Sequence, residues 1–217
     1  GNPMAASMAH NDQIRGAQLS HDGHRVLTWS RDESARLWDA DSGEPIGPAL
    51  LHEEAVVGAV FSPDERQILT WADKVARLWN TADGTRAGPA MVHDGEIEAG
   101  AFSPDGQHIL TWSDTRTARL WDAATGTPIP LAMTHDERLR GARFAAGGRR
   151  VLTWSDDATV RLWDVTRDDQ AGPGCRGQGK AGFRRCRQAG NGEETDCRRS
   201  RCLAQSGRRS QGGVDSN

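Results

Sequence analysis

Apolar residues fall along this chain in short runs of four to six, separated by clusters of Pro, Gly, Ser, Thr and Asp. In the segment after His93, Ile97–Phe102 reads as one strand and Ser103-Pro104-Asp105-Gly106 as a tight turn. His108–Ser113 is a second strand, Asp114-Thr115-Arg116 a turn, and residues 117–121 a third strand. Thr125-Gly126 turns the chain again before a fourth extended stretch over 128–133. Pro presets φ and Gly tolerates positive φ, so such clusters end strands. No apolar spacing of helical period interrupts the pattern.

The pattern repeats. Leu-Thr-Trp recurs at 27–29, 69–71, 110–112 and 152–154, with successive Trp residues 42, 41 and 42 apart. Arg-Leu-Trp recurs at 36–38, 77–79, 119–121 and 161–163, and all eight tryptophans belong to these two series. A histidine leads each unit, at His10, His52, His93 and His135. Four short strands in each period of 41 or 42 residues describe one blade of a β-propeller. The units run over 10–51, 52–92, 93–134 and 135–169, and the fold class is all-β.

Composition divides the chain at the point where the repeat stops. Residues 170–217 hold ten Lys/Arg against four Asp/Glu and all four cysteines, whereas residues 1–169 hold 17 against 26 and none. A repeat region free of cysteine suits a cytoplasmic protein without disulfides. No apolar run approaches the roughly 18–20 residues that cross a bilayer, and no signal-peptide pattern opens the chain. Rich in Gly and Arg and poor in patterned apolar residues, the tail is expected to be disordered. Its spacings, Cys175 to Cys186, Cys197 and Cys202, do not match paired zinc ligands. Three readings of this tail stand: a shifted reading frame, an ordinary disordered extension, or a basic segment that binds nucleic acid nonspecifically.

The repeat resembles the WD40 repeat. The resemblance rests on the leading His, Phe-Ser-Pro-Asp nine residues on (Phe61 and Phe102), and Arg-Leu-Trp-Asp. Trp-Asp stands at Trp38-Asp39, Trp121-Asp122 and Trp163-Asp164, with Trp79-Asn80 as the one substitution. The Leu-Thr-Trp-Ser variant is similar to near-identical bacterial WD40 arrays, which often form the sensor or scaffold end of longer signalling proteins. The resemblance covers about residues 10–165 and implies a protein-interaction scaffold, not an enzyme, with no cofactor and no metal.

It also implies a role for the repeated polar residues, which in the family form a hydrogen-bonded chain tying the loop before the innermost strand to the second and third strands. The corresponding residues are His10, Thr28, Asp32 and Trp38 in unit one and His52, Thr70, Asp73 and Trp79 in unit two. Unit four supplies His135, Thr153, Asp157 and Trp163. Unit three keeps His93, Thr111 and Trp121 but has Thr115 where Asp is expected. Half-buried imidazole, hydroxyl and indole N–H groups each need a partner, and such a chain supplies them. A catalytic triad would occur once, not four times in phase. His21, His24 and His108 read as solvent-facing turn residues. The second series, Trp29, Trp71, Trp112 and Trp154, reads as packing between blades, with an aromatic ligand ring as the alternative.

Recognition is expected where the copies differ. Four residues after each leading His the chain is always apolar, at Ile14, Val56, Ile97 and Leu139. The flanking residues vary: Gln13 and Arg15, Ala55 and Val57, Glu96 and Glu98, Arg138 and Arg140. In the family this segment lies near the rim of the central channel, so these eight are the candidate partner-binding residues, with drift at exposed sites as the alternative. The partner is a protein or peptide of unknown identity. Four blades are few for a ring, which leaves three readings: a fragment of a longer propeller, a small closed ring, or a chain that pairs with a second copy into about eight blades. Residues 1–9 read as a clasp strand or a tag remnant.

Overall fold

The computed structural model describes residues 7–165. These lie in the first of two units into which the chain divides, Gly1–Arg167 and Asp168–Asn217. The expectations for the tail 170–217, and for residues 1–6 of the clasp, fall outside the described residues. Residues 7–9 carry no strand.

Among the described residues, fifteen strands form four antiparallel sheets, each laid down in chain order from an inner to an outer strand. Sheet one holds β1 (Ile14–Leu19), β2 (Arg25–Ser30), β3 (Ser34–Asp39) and β4 (Leu50–Leu51). Sheet two holds β5 (Gly58–Phe61), β6 (Gln67–Ala72), β7 (Val75–Asn80) and β8 (Met91–Val92). Sheet three holds β9 (Ile97–Phe102), β10 (His108–Ser113), β11 (Thr117–Asp122) and β12 (Pro128–Thr134). Sheet four has three strands among the described residues, β13 (Leu139–Phe144), β14 (Arg150–Ser155) and β15 (Val160–Asp164). No described residue is helical.

The turns follow from their residue types. Ser20, Ser62 and Ser103 each donate a hydroxyl to the Asp two residues on, at 2.6, 2.7 and 2.5 Å. The same Ser oxygens accept the N–H that opens or adjoins the next strand, from Arg25, Gln67 and His108. At the opposite end of the second strand, sheet two turns in only two residues, with Ala72 paired to Val75 and Asp73 at φ 44°. A two-residue hairpin turn demands such positive φ. The outer strands β4 and β8 are only two residues long because Gly47-Pro48 and Gly88-Pro89 interrupt them, both glycines at positive φ. Unit three has no glycine there, and β12 runs for seven residues.

Neighbouring sheets pack through one repeated joint. Each joint sets the second and third strands of one sheet against the next sheet's inner face. In the first, Leu27, Ala35 and Leu37 meet Val56, Phe61 and Ile68. In the second, Leu69, Ala76 and Leu78 meet Ile97 and Ile109; in the third, Leu110, Ala118 and Leu120 meet Leu139 and Val151. The indoles of Trp79, Trp121 and Trp163 lie in or against the joint on their own sheet's leading side. The inner strands β1 and β5, and β5 and β9, approach one another.

Candidate functional site

The repeated polar residues meet at the heart of each sheet. In sheet one the Trp38 indole N–H donates to Thr28 Oγ1 at 2.7 Å, and His10 Nε2 lies 2.7 Å from the same oxygen. His10 Nδ1 lies 2.9 Å from Asp32 Oδ2. Sheet four repeats this with Trp163, Thr153, His135 and Asp157, at 2.8, 2.8 and 2.9 Å. One polarity satisfies every member: Trp N–H to Thr, Thr O–H to His Nε2, and His Nδ1–H to the carboxylate. Ser34 and Thr159, which the sequence does not single out, complete these chains by donating to Asp32 at 2.6 Å and Asp157 at 2.7 Å. Burial opposes ionisation of Asp32, but the Ser34 hydroxyl, the Asn11 N–H and His10 outweigh it and bring its pKa down to about 2. Asp157, held alike, is lowered further.

The two middle sheets lack the acid. His52 and His93 reach Thr70 and Thr111 at 2.7 and 2.6 Å, and Trp79 and Trp121 donate to those hydroxyls at 2.8 Å. Asp73, expected in the chain of unit two, makes no hydrogen bond with His52. It sits within the two-residue turn, and that shorter turn stops the carboxylate from curling back over the ring. In unit three Thr115 bonds Ser113 and Thr117 instead, and His93 Nδ1 is buried with no partner. Burial, reinforced by Arg77 and Arg86, lowers the His52 pKa to about 3. Burial and Arg119 lower that of His93 to about 4. Both rings are therefore neutral through the physiological range.

Three of the four tryptophans of the second series lie over glycine, and the fourth, Trp112, pairs with Ala99. Gly16, Gly58 and Gly141 on the inner strands pair with Trp29, Trp71 and Trp154, and a Cβ at any of them would stand 2.1–2.2 Å from the indole. The absent side chain lets the ring lie flat across the inner strand. Trp71 belongs to the second joint, and Trp29 and Trp112 pack against the first and third. Of the turn histidines, His21 and His24 are exposed, whereas His108 is half-buried with its Nδ1 unpartnered.

Arginine of Arg-Leu-Trp has a task the sequence reading missed. Arg77, Arg119 and Arg161 donate to the carbonyls of Leu51, Val92 and Thr134, at 3.2, 2.8 and 2.7 Å. Each of those carbonyls stands just ahead of its unit's histidine, where the chain leaves one sheet's outer strand for the next sheet. The same guanidiniums pair with Glu53, Asp94 and Asp136. The signal was present as an acid one residue after each of these three histidines.

The variable residues gather at the end of the sheets where the inner strands begin. Val56, Ile97 and Leu139 are buried, and the residues flanking them are exposed, apart from half-buried Ala55. Sheet one differs, with Ile14 exposed along with Gln13 and Arg15. Arg138 pairs with Glu98 of the preceding sheet, and Arg140 pairs with Asp156 at 2.6 Å. Arg15 and Glu96 form no ion pair among the described residues. This end therefore presents a free cation on sheet one, an exposed Val57 on sheet two and a free carboxylate on sheet three. Among the described residues no three His, Cys, Asp or Glu side chains group as metal ligands.

Comparison with known proteins gives a consistent picture. The family model for the WD domain, G-beta repeat, matches residues 1–39 and 91–122. Among solved structures, the chain is similar to the computationally designed Ika4 protein, with a TM-score of 0.66 and 20% identity over 76% of this chain and 99% of that one. The computationally designed Ika8 protein gives a TM-score of 0.64 and 20% identity over 74% of this chain and 48% of that one. The chain thus spans about half of the second protein's length. A search of curated proteins gave no match.

Proposed function

We propose that this chain, a WD40-repeat protein with propeller blades for its sheets, is an interaction scaffold that grips a protein or peptide segment across the end of the blades where the inner strands begin. One observation carries the reading: on the two sides of an apolar residue shared by successive copies, three or five residues after the histidine, Arg15, Val57 and Glu96 are exposed and chemically different. Arg15, Val57 and Glu96 form a cationic, apolar and anionic series that a segment of opposite order would complement. Such complementarity gives specificity and steers encounter more than it adds affinity. Arg138 and Arg140, engaged by Glu98 and Asp156, shape the surface and are not its free charges.

Binding, not catalysis, is the proposed activity. Every Thr hydroxyl that a triad reading would use as a nucleophile already bonds both a histidine and an indole within its own sheet. Each such hydroxyl is nine-tenths or more buried with its residue. The test is capture from an extract of the source cells with the full chain and with a triple variant, Arg15→Glu, Val57→Asp and Glu96→Lys. The expected result is a captured set that the variant loses while its thermal melt is unchanged. Capture indifferent to the three substitutions contradicts the proposed rim.

A further inference from the structure

The repeated joint has two halves, and the chain carries one unmatched copy of each. A trailing half is the Leu of Leu-Thr-Trp, the Leu of Arg-Leu-Trp and the small residue two before it. A leading half is the apolar residue four after the histidine, the Phe nine after it, and the aliphatic residue that precedes Leu-Thr-Trp. In the three internal joints these positions are buried, apart from half-buried Phe102 and Phe144. Leu37, Leu78 and Leu120 are 5%, 1% and 1% exposed, and Val56, Ile97 and Leu139 are 0%, 2% and 0%. On the trailing side of sheet four the matching Leu162 is 57% exposed and Val160 65%. On the leading side of sheet one, Ile14 is 42% and Leu19 57% exposed. None of the apolar clusters joins sheet four to sheet one. Two apolar faces of this size are costly to leave in water.

Their chemistry says what covers them. Each end face is, position for position, the half that the other end lacks, so the tail face of sheet four fits the head face of sheet one by the rule of all three internal joints. Among the described residues of one chain the two faces lie uncovered. We propose that a second copy of the chain covers both, head to tail, so that two copies form one ring of eight blades (twice four sheets) held by two identical new joints. A joint between unlike faces closes into a ring only when the rotation allows it. Propellers close with about four to eight blades, a range that two copies meet and three exceed.

The segment ahead of His10 fits the same arrangement. Met91 and Met133, two residues before His93 and His135, fill the trailing joints at 0% and 1% exposure. Met8 stands two residues before His10. In the ring, the stretch containing Met8 lies beside the partner copy's β15 as a fourth strand, and Arg36 takes the place that Arg77, Arg119 and Arg161 hold on the preceding carbonyl. An open strand edge is thereby covered. The inference is independent of the rim reading.

Sedimentation equilibrium of the full chain tests it. The expected result is one species at twice the 23.6 kDa chain mass. Leu162→Arg and Leu19→Glu, one on each face, are each expected to give single chains, and their mixture to restore the two-chain species through one native joint and one Glu–Arg joint. Val92→Arg, an exposed apolar position outside both faces, is expected to leave the mass unchanged. Circular dichroism of each variant reports whether its strands are retained. A single-chain mass for the unaltered protein, a ladder of larger species, or a two-chain mass that survives either face substitution would overturn the proposal.

Discussion

At Thr28, Thr70, Thr111 and Thr153 one hydroxyl joins a histidine from the loop before the inner strand to an indole on the third strand. Losing such a hydroxyl strands two buried polar groups at once, and each costs about 1–3 kcal/mol when left without a partner. Thr70→Val, close in volume, is therefore expected to lower unfolding free energy by about 2–4 kcal/mol, and Thr70→Ser by much less. Urea denaturation measures both; equal, small losses would show that the hydroxyl is not the tie. These residues were legible in the sequence as a family pattern, because His, Thr and Trp recur in phase. Ser34 and Thr159 were not, because unit three has a hydroxyl at the same place, Thr117, which bonds Thr115, and only the turn geometry with an acid beside it brings the hydroxyl onto a carboxylate. The glycines beneath Trp29, Trp71 and Trp154 were overlooked for another reason: a missing side chain reads as punctuation until the ring that occupies its space is placed.

Strand positions were nearly explicit in the alternation of residues, to within one residue throughout unit three. What the alternation did not give was the consequence of a turn shortened by one residue. In sheet two it takes Asp73 out of the polar chain, and in sheet three Thr115 replaces the acid, so the two middle blades hold their histidines neutral. Both His52 and His93 have pKa values depressed from 6.5, to about 3 and about 4. The unfolded chain therefore binds protons that the folded one refuses, so their contribution is fully present above pH 6.5 and is lost as pH falls toward 4. Each such histidine steepens the loss by up to about 1.4 kcal/mol per pH unit. Asp32 adds its own loss only below its ordinary value of 3.8. Urea midpoints at pH 7.5, 6 and 5 are expected to fall in that order, and a His52→Asn, His93→Asn double variant to fall less steeply. Midpoints flat across this range would mean that neither ring is held neutral by the fold.

Over the described residues, four sheets linked by three copies of one joint form an array whose two ends carry opposite halves of that joint. The sequence indicated that four blades are few; it did not indicate which side chains lie open, since Leu162 and Leu37 are the same residue in the same motif and differ in whether a following sheet covers them among the described residues. Shared residues hold the sheets together, and the variable ones collect at one end, as the repeat differences suggested, although the charges of Arg138 and Arg140 proved to be taken up by neighbouring carboxylates. The most direct test of a scaffold that binds through that end is site-specific photocrosslinking. A photoreactive residue is placed at Val57, at the end where the inner strands begin, and in a second chain at Ala82, exposed in the turn at the opposite end of the same sheet. Recognition through Arg15, Val57 and Glu96 predicts adducts to a partner from position 57 and none from position 82; adducts from position 82 alone, or equally from both, would contradict it.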